Sequence, residues 1–157
     1  MLLRTCTSVL LLCFSSFAIQ SHASEFDQYL QEKKILDKKF KILKKTELNE
    51  ILSVLSAEDS RTLPLQVDNN TLVETLLLDS EKTHLKGQII TPDFAQFEQD
   101  LGSKEVEAVI RNNLLENCSI FFEHQYQKTN PYSIELELRS EQQQYQIQIS
   151  QKDCKVN

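Results

Sequence analysis

The sequence predicts an α+β fold: an antiparallel sheet of two hairpins packed on one face by helices, with an N-terminal helical segment and one disulfide. Three observations carry this. The runs 133–139 and 145–150 alternate strictly between apolar and polar residues, as strands wetted on one face do. The runs 72–78 and 83–90 form an earlier pair, bounded by polar clusters and by Pro92. The stretches around these pairs carry apolar residues at helical spacing.

The first 23 of the 157 residues read as a leader rather than as part of the fold. Arg4 supplies a positive start, the residues around Val9–Phe14 an apolar centre, and Ser21-His-Ala23 a small-x-small cleavage pattern. The apolar run is broken by Ser15 and Ser16, so it falls short of the ~18–20 residues of a membrane span. Cleavage after Ala23 leaves about 134 residues, enough for one modest core. The expected division is 1–23 signal peptide, 24–56 N-terminal helical segment and 57–157 α+β domain.

From Ser24, a helix cap, the apolar positions Phe26, Tyr29, Leu30, Ile35, Leu36, Phe40, Ile42 and Leu43 predict a helix reaching Lys45. Thr46 is the expected cap of a second helix through Leu48, Ile51, Leu52 and Leu55. Residues 57–70, with Pro64 and Asp68-Asn-Asn70, read as a linker. In the first hairpin Leu72, Leu76 and Leu78 are expected to face the core, opposite Leu85, Gly87 and Ile89. Thr91-Pro92-Asp93 opens a short helix that Gly102 ends. Val106, Val109, Ile110 and Leu114 continue the helical period towards Cys118. Residues 119–130 fit helix and strand equally well until Asn130-Pro131 stops either one. In the last hairpin Ile134, Leu136 and Leu138 face Tyr145, Ile147 and Ile149 across the core side.

Two cysteines, Cys6 and Cys13, belong to the leader. Cys118 and Cys154 remain as an even pair, and in an oxidising compartment a disulfide is expected between them. Charge is uneven. Without Arg4 there are 16 basic against 23 acidic residues, a net of −7. Residues 25–45 hold seven lysines against four acids, so the remainder stands near −10. An acidic body disfavours nucleic acid, whose phosphates demand a basic footprint. The lysines Lys33, Lys34, Lys38, Lys39 and Lys41 are the candidate partner-binding residues, against the alternative of a solvated helix face.

The order of Leu63-Pro-Leu-Gln-Val-Asp-Asn-Asn-Thr71, a hairpin, a helix ending near one cysteine, and a last strand closing at Gln151-Lys-Asp-Cys154 resembles small exported bacterial proteins of no assigned activity. The resemblance spans residues 63–154 and departs in one respect. Those proteins carry a glycine between the cysteine and the hairpin, and residues 119–130 have none. It implies fold and compartment, and brings no functional residues with it.

Catalytic signatures are lacking. Two glycines, Gly87 and Gly102, leave no phosphate-cradling loop, and no Gly-x-Ser-x-Gly elbow occurs. After leader removal the histidines are His84 and His124, neither at metal-ligand spacing. No cofactor, metal or catalytic residue is expected. The first expectation is a periplasmic or secreted, non-enzymatic protein that binds another envelope or secreted protein, as an accessory or inhibitor. The second is a small-ligand or lipid carrier, for which a large apolar pocket walled by Phe94, Phe97, Phe121 and Phe122 would speak. The third is a hydrolase with a dispersed site, for which His84 or His124 beside a carboxylate and a hydroxyl would speak.

Overall fold

A computed structural model describes residues 24–154. The expected leader and its cleavage site lie outside the described residues. Helix α1 (Glu25–Glu32) starts where predicted, the Asp27 amide donating to the Ser24 hydroxyl at 3.1 Å. It stops thirteen residues short of the expected Lys45. The end is a Schellman motif with lysine in glycine's usual place: Lys34 takes φ 56°, its amide bonds the Gln31 carbonyl, and the Ile35 amide reaches back to Leu30. Residues 33–44 then form a tight loop. Asp37 organises it, one carboxylate oxygen accepting the Lys39 and Lys41 amides at 2.7 and 2.9 Å. Leu36 pairs with Ile42 in an isolated bridge, and Phe40 sits at φ 62°. The apolar residues that suggested a helix serve the core from this loop, with Ile35 and Leu36 buried.

Helix α2 (Lys45–Asp59) begins one residue before Thr46, and Lys44, not Thr46, occupies the cap position without a side-chain bond. Its buried residues are Leu48, Leu52 and Ser56. The Ser56 hydroxyl bonds the Leu78 amide at 2.8 Å, fastening the helix to the sheet. After a 3₁₀ turn and the cis Leu63–Pro64 bond come β1 (Leu65–Gln66), β2 (Thr71–Leu78) and β3 (Lys82–Ile89). Helices α3 (Phe94–Leu101), α4 (Ser103–Glu116), α5 (Cys118–Phe121) and α6 (Gln125–Thr129) follow. The chain closes with β4 (Ser133–Arg139) and β5 (Gln144–Ser150). The ambiguous residues 119–130 are therefore mostly helical, in two short pieces broken at 122–124.

The α+β expectation holds. The strands form one sheet in the order β1-β2-β3-β4-β5, antiparallel within each hairpin. The two hairpins join through a parallel pairing of β3 with β4, Leu85 opposite Leu136. Parallel neighbours require a crossover, and α3–α6 provide it. One correction concerns facing. A bulge at Glu74 shifts the register between Val73 and Thr75, so Val73 lies opposite Gly87 while Leu76 still lies opposite Leu85. Val73 takes the core-side place expected of Leu72, because the extra residue reverses the alternation.

Side chains from every part of the fold share one core: Leu30, Ile35 and Leu36, Leu48 and Leu52, Val106 and Leu114, Tyr126 and Tyr132, Ile134 and Ile149. Cys118 and Cys154 form the expected disulfide, Cα atoms 5.9 Å apart, and tie the start of α5 to the 3₁₀ turn that follows β5. The opposite sheet face is polar, with ion pairs Lys82–Glu135 and Lys86–Glu137 at 2.8 and 3.2 Å across β3 and β4.

Candidate functional site, an apolar cleft

The helices cover the sheet incompletely. α2 packs on β2 and α4 on β5, which leaves the face of β2 and β3 near Val73 and Gly87 under neither. A cleft of about 820 Å³ lies there. Its floor is Val73, Leu85, Ile89, Leu136 and Leu138, and one wall is Phe94, Phe97, Val106, Val109 and Ile110. Phe121 and Ile120 of α5 close one end, and the 67–71 segment borders the other side. Gly87 lies in the floor because a Cβ there would meet the Leu72 carbonyl oxygen at 2.6 Å.

Apolar surface continues out of the cleft. Of its lining residues, Val67, Phe97, Val109 and Ile120 stand exposed around the mouth, Ile120 at 70%. Lone exposed apolar residues are ordinary, whereas a contiguous set around a cavity marks a contact surface. The charged lining residues are Asp68, Asp93 and Lys86. Lys86 is drawn to Glu137, which leaves the mouth with a small acidic excess. Of the four phenylalanines proposed as ligand walls, Phe94, Phe97 and Phe121 line the cleft, and Phe122 is buried in the core instead.

A second cavity, of about 310 Å³, lies beyond α5 and shares Leu85, Ile120 and Phe121 with the first. His124 borders it. The Ser24 hydroxyl lies 2.9 Å from His124 Nδ1, and the Asp27 carboxylate 3.9 Å from the same nitrogen. A histidine thus stands beside a hydroxyl and a carboxylate, which the hydrolase alternative required. The connectivity is that of a cap, not of a catalytic relay. A relay puts nucleophile and orienting carboxylate on opposite ring nitrogens, and here both approach Nδ1. Asp27, fully buried, is engaged by the Gln125 amide at 2.9 Å and the Ser24 hydroxyl at 2.9 Å, so it caps α6 while Ser24 caps α1. His84 lies on the polar sheet face, 4.0 Å from Glu137 and away from both cavities.

The five candidate lysines are all exposed and gathered on the 33–44 loop rather than on a helix. None lines either cavity. Lys33 rests over the Tyr29 ring, and Lys41 donates to the Thr129 carbonyl at 2.6 Å. Sequence reasoning named three wall residues of the cleft, Phe94, Phe97 and Phe121, but not its floor or its exposed mouth, because the lining comes from β2, β3, β4, α3, α4 and α5. The residues that flag it, Val67, Val109 and Ile120, look like core positions until the fold leaves them uncovered.

No family model matches the chain, and no curated protein matches it. Among solved structures it is similar to a candidate secreted protein from Pseudomonas aeruginosa, at 10% identity and TM-score 0.50, over 72% of this chain and 97% of that one. It is also similar to a pilotin from the Vibrio vulnificus type 2 secretion system, at 11% identity and TM-score 0.40, over 72% and 96%. At such identity the first likeness shows a shared fold. Among the described residues no helix is long and apolar enough to cross a membrane, and no three His, Cys, Asp or Glu side chains gather as metal ligands.

Proposed function

We propose that this is an exported, non-enzymatic accessory protein of a bacterial envelope, and that it binds a partner protein by taking an apolar-faced segment of it into the cleft. The leader pattern and the disulfide support export. The observation that carries binding is the cleft with its apolar mouth. A small ligand held for transport is enclosed, and its pocket needs no apolar rim. An amphipathic helix, ~10 Å across, fills such a groove and stands proud of it, meeting Phe97, Val109 and Ile120 with its flanks. The acidic mouth favours basic residues beside the apolar stripe.

The carrier reading is the second, and the volume favours it, since about 820 Å³ lies within the ~300–1,000 Å³ of small-molecule sites. One experiment separates the two. A photoreactive residue at Val109, installed in the producing cell, should crosslink to one discrete protein, and Ile120→Glu should abolish the product without lowering Tm. A lipid adduct in native mass spectra of the purified protein, with no protein crosslink, would establish the carrier instead.

A further inference from the structure

We infer that the 33–44 loop is a docking surface for an anionic phospholipid bilayer. This surface is separate from the cleft and stands without it.

The loop is built to hold its charges outward. Ile35 and Leu36 are buried beneath it, and the Leu36–Ile42 bridge closes it. Asn130 pins it to α6, its amide donating to the Phe40 carbonyl at 2.8 Å and its oxygen accepting the Ile42 amide at 3.2 Å. Lys41 reaches across to α6, its ammonium donating to the Thr129 carbonyl at 2.6 Å. Asp37, the loop's own carboxylate, is occupied by backbone amides. Among the described residues, Lys34, Lys38 and Lys39 pair with no acid.

Three features favour a lipid surface over an acidic protein. Every cation is lysine; residues 24–45 contain no arginine. Lysine is a mobile, hydrated point charge suited to fluid headgroups, whereas fixed carboxylates favour the planar fork of arginine. Leu43, at 60% exposure, and Tyr29, at 43%, stand among the lysines, as apolar and aromatic residues do at a membrane interface. The acidic remainder of the protein does not cancel the attraction, because charges farther off than ~8 Å are screened at physiological salt.

The test is sedimentation of residues 24–157 with vesicles of phosphatidylglycerol and phosphatidylcholine, against phosphatidylcholine alone. The expected result is binding to the anionic vesicles only, lost at about 0.5 M salt. Lys34→Gln/Lys38→Gln/Lys39→Gln should bind about 100-fold more weakly, near fivefold for each lysine at an anionic surface. Lys104→Gln/Lys152→Gln removes exposed lysines elsewhere and should bind as the parent does. Ile120→Glu, which blocks the cleft, should also leave vesicle binding unchanged, so the two proposals fail separately. Equal binding to neutral vesicles, parental binding by the triple variant, or retention on immobilised polyglutamate without vesicle binding would each overturn the inference.

Discussion

Tyr126 is almost fully buried and lies edge-on to Tyr132, ring centres 5.8 Å apart, while the Tyr132 hydroxyl bonds that of Thr83 at 2.9 Å. Burial pushes both hydroxyls above the usual tyrosine range, and for Tyr126 the neighbouring Tyr132 adds to the shift. The sign of the consequence is fixed. A folded value above the unfolded one means that stability is whole below the unfolded value of about 10 and declines as pH rises beyond it. Thermal melts between about pH 9 and 11.5 should therefore show Tm falling above pH ~10, less steeply in Tyr126→Phe than in the parent. Glu98 shows a similar economy of position. At 6% exposure it accepts from Ser140 at 2.8 Å and from Tyr145, locking α3 to the last hairpin. That carboxylate also raises the Tyr145 hydroxyl, after burial itself. Nothing in the spacing of Glu98, Ser140 and Tyr145 signals that they meet. Their contact depends on how α3 lies over the turn.

At the scale of elements, periodicity located most pieces and failed where a piece ended against its own pattern. The last hairpin was legible because Ile134, Ile147 and Ile149 alternate with glutamate and glutamine. Helix α1 was overextended because its Schellman end uses Lys34, and the glycine that usually announces such an end is missing. The Glu74 bulge likewise leaves no mark in an all-strand run. The disulfide is the element-scale feature with the largest expected energy. Its cysteines are 36 residues apart, and in the loop-entropy account such a link contributes roughly 3–4 kcal/mol. Cys118→Ala/Cys154→Ala should lose about that much stability to urea and lower the midpoint, with a steeper slope because the uncrosslinked unfolded chain exposes more surface. It should also weaken cleft binding, because Cys118 anchors α5, whose Ile120 and Phe121 close the cleft.

The whole molecule presents two surfaces of opposite character: a basic loop at one place, and an apolar cleft with an acidic mouth at another. An occupant that binds only the folded cleft must raise stability by mass action, about 2.7 kcal/mol at a hundredfold excess over its Kd. A peptide with an apolar stripe and flanking lysines should therefore raise Tm, by an increment that grows with the logarithm of its concentration over its Kd. The same peptide with the stripe replaced by serine should leave Tm unchanged.

By itself the sequence determined the fold class, the two hairpins, the cysteine pair and the imbalance of charge, because each of these is written in local alternation, composition or count. The cleft, the rigid lysine loop, the parallel seam between β3 and β4 and the capping role of Ser24, Asp27 and His124 were decided only by tertiary structure. Each brings together residues distant in the chain, Ser24 with His124, Val73 with Val109, Phe40 with Asn130. Periodicity says which side of an element is apolar. What that side meets, or that it meets nothing, depends on where the other elements come to rest.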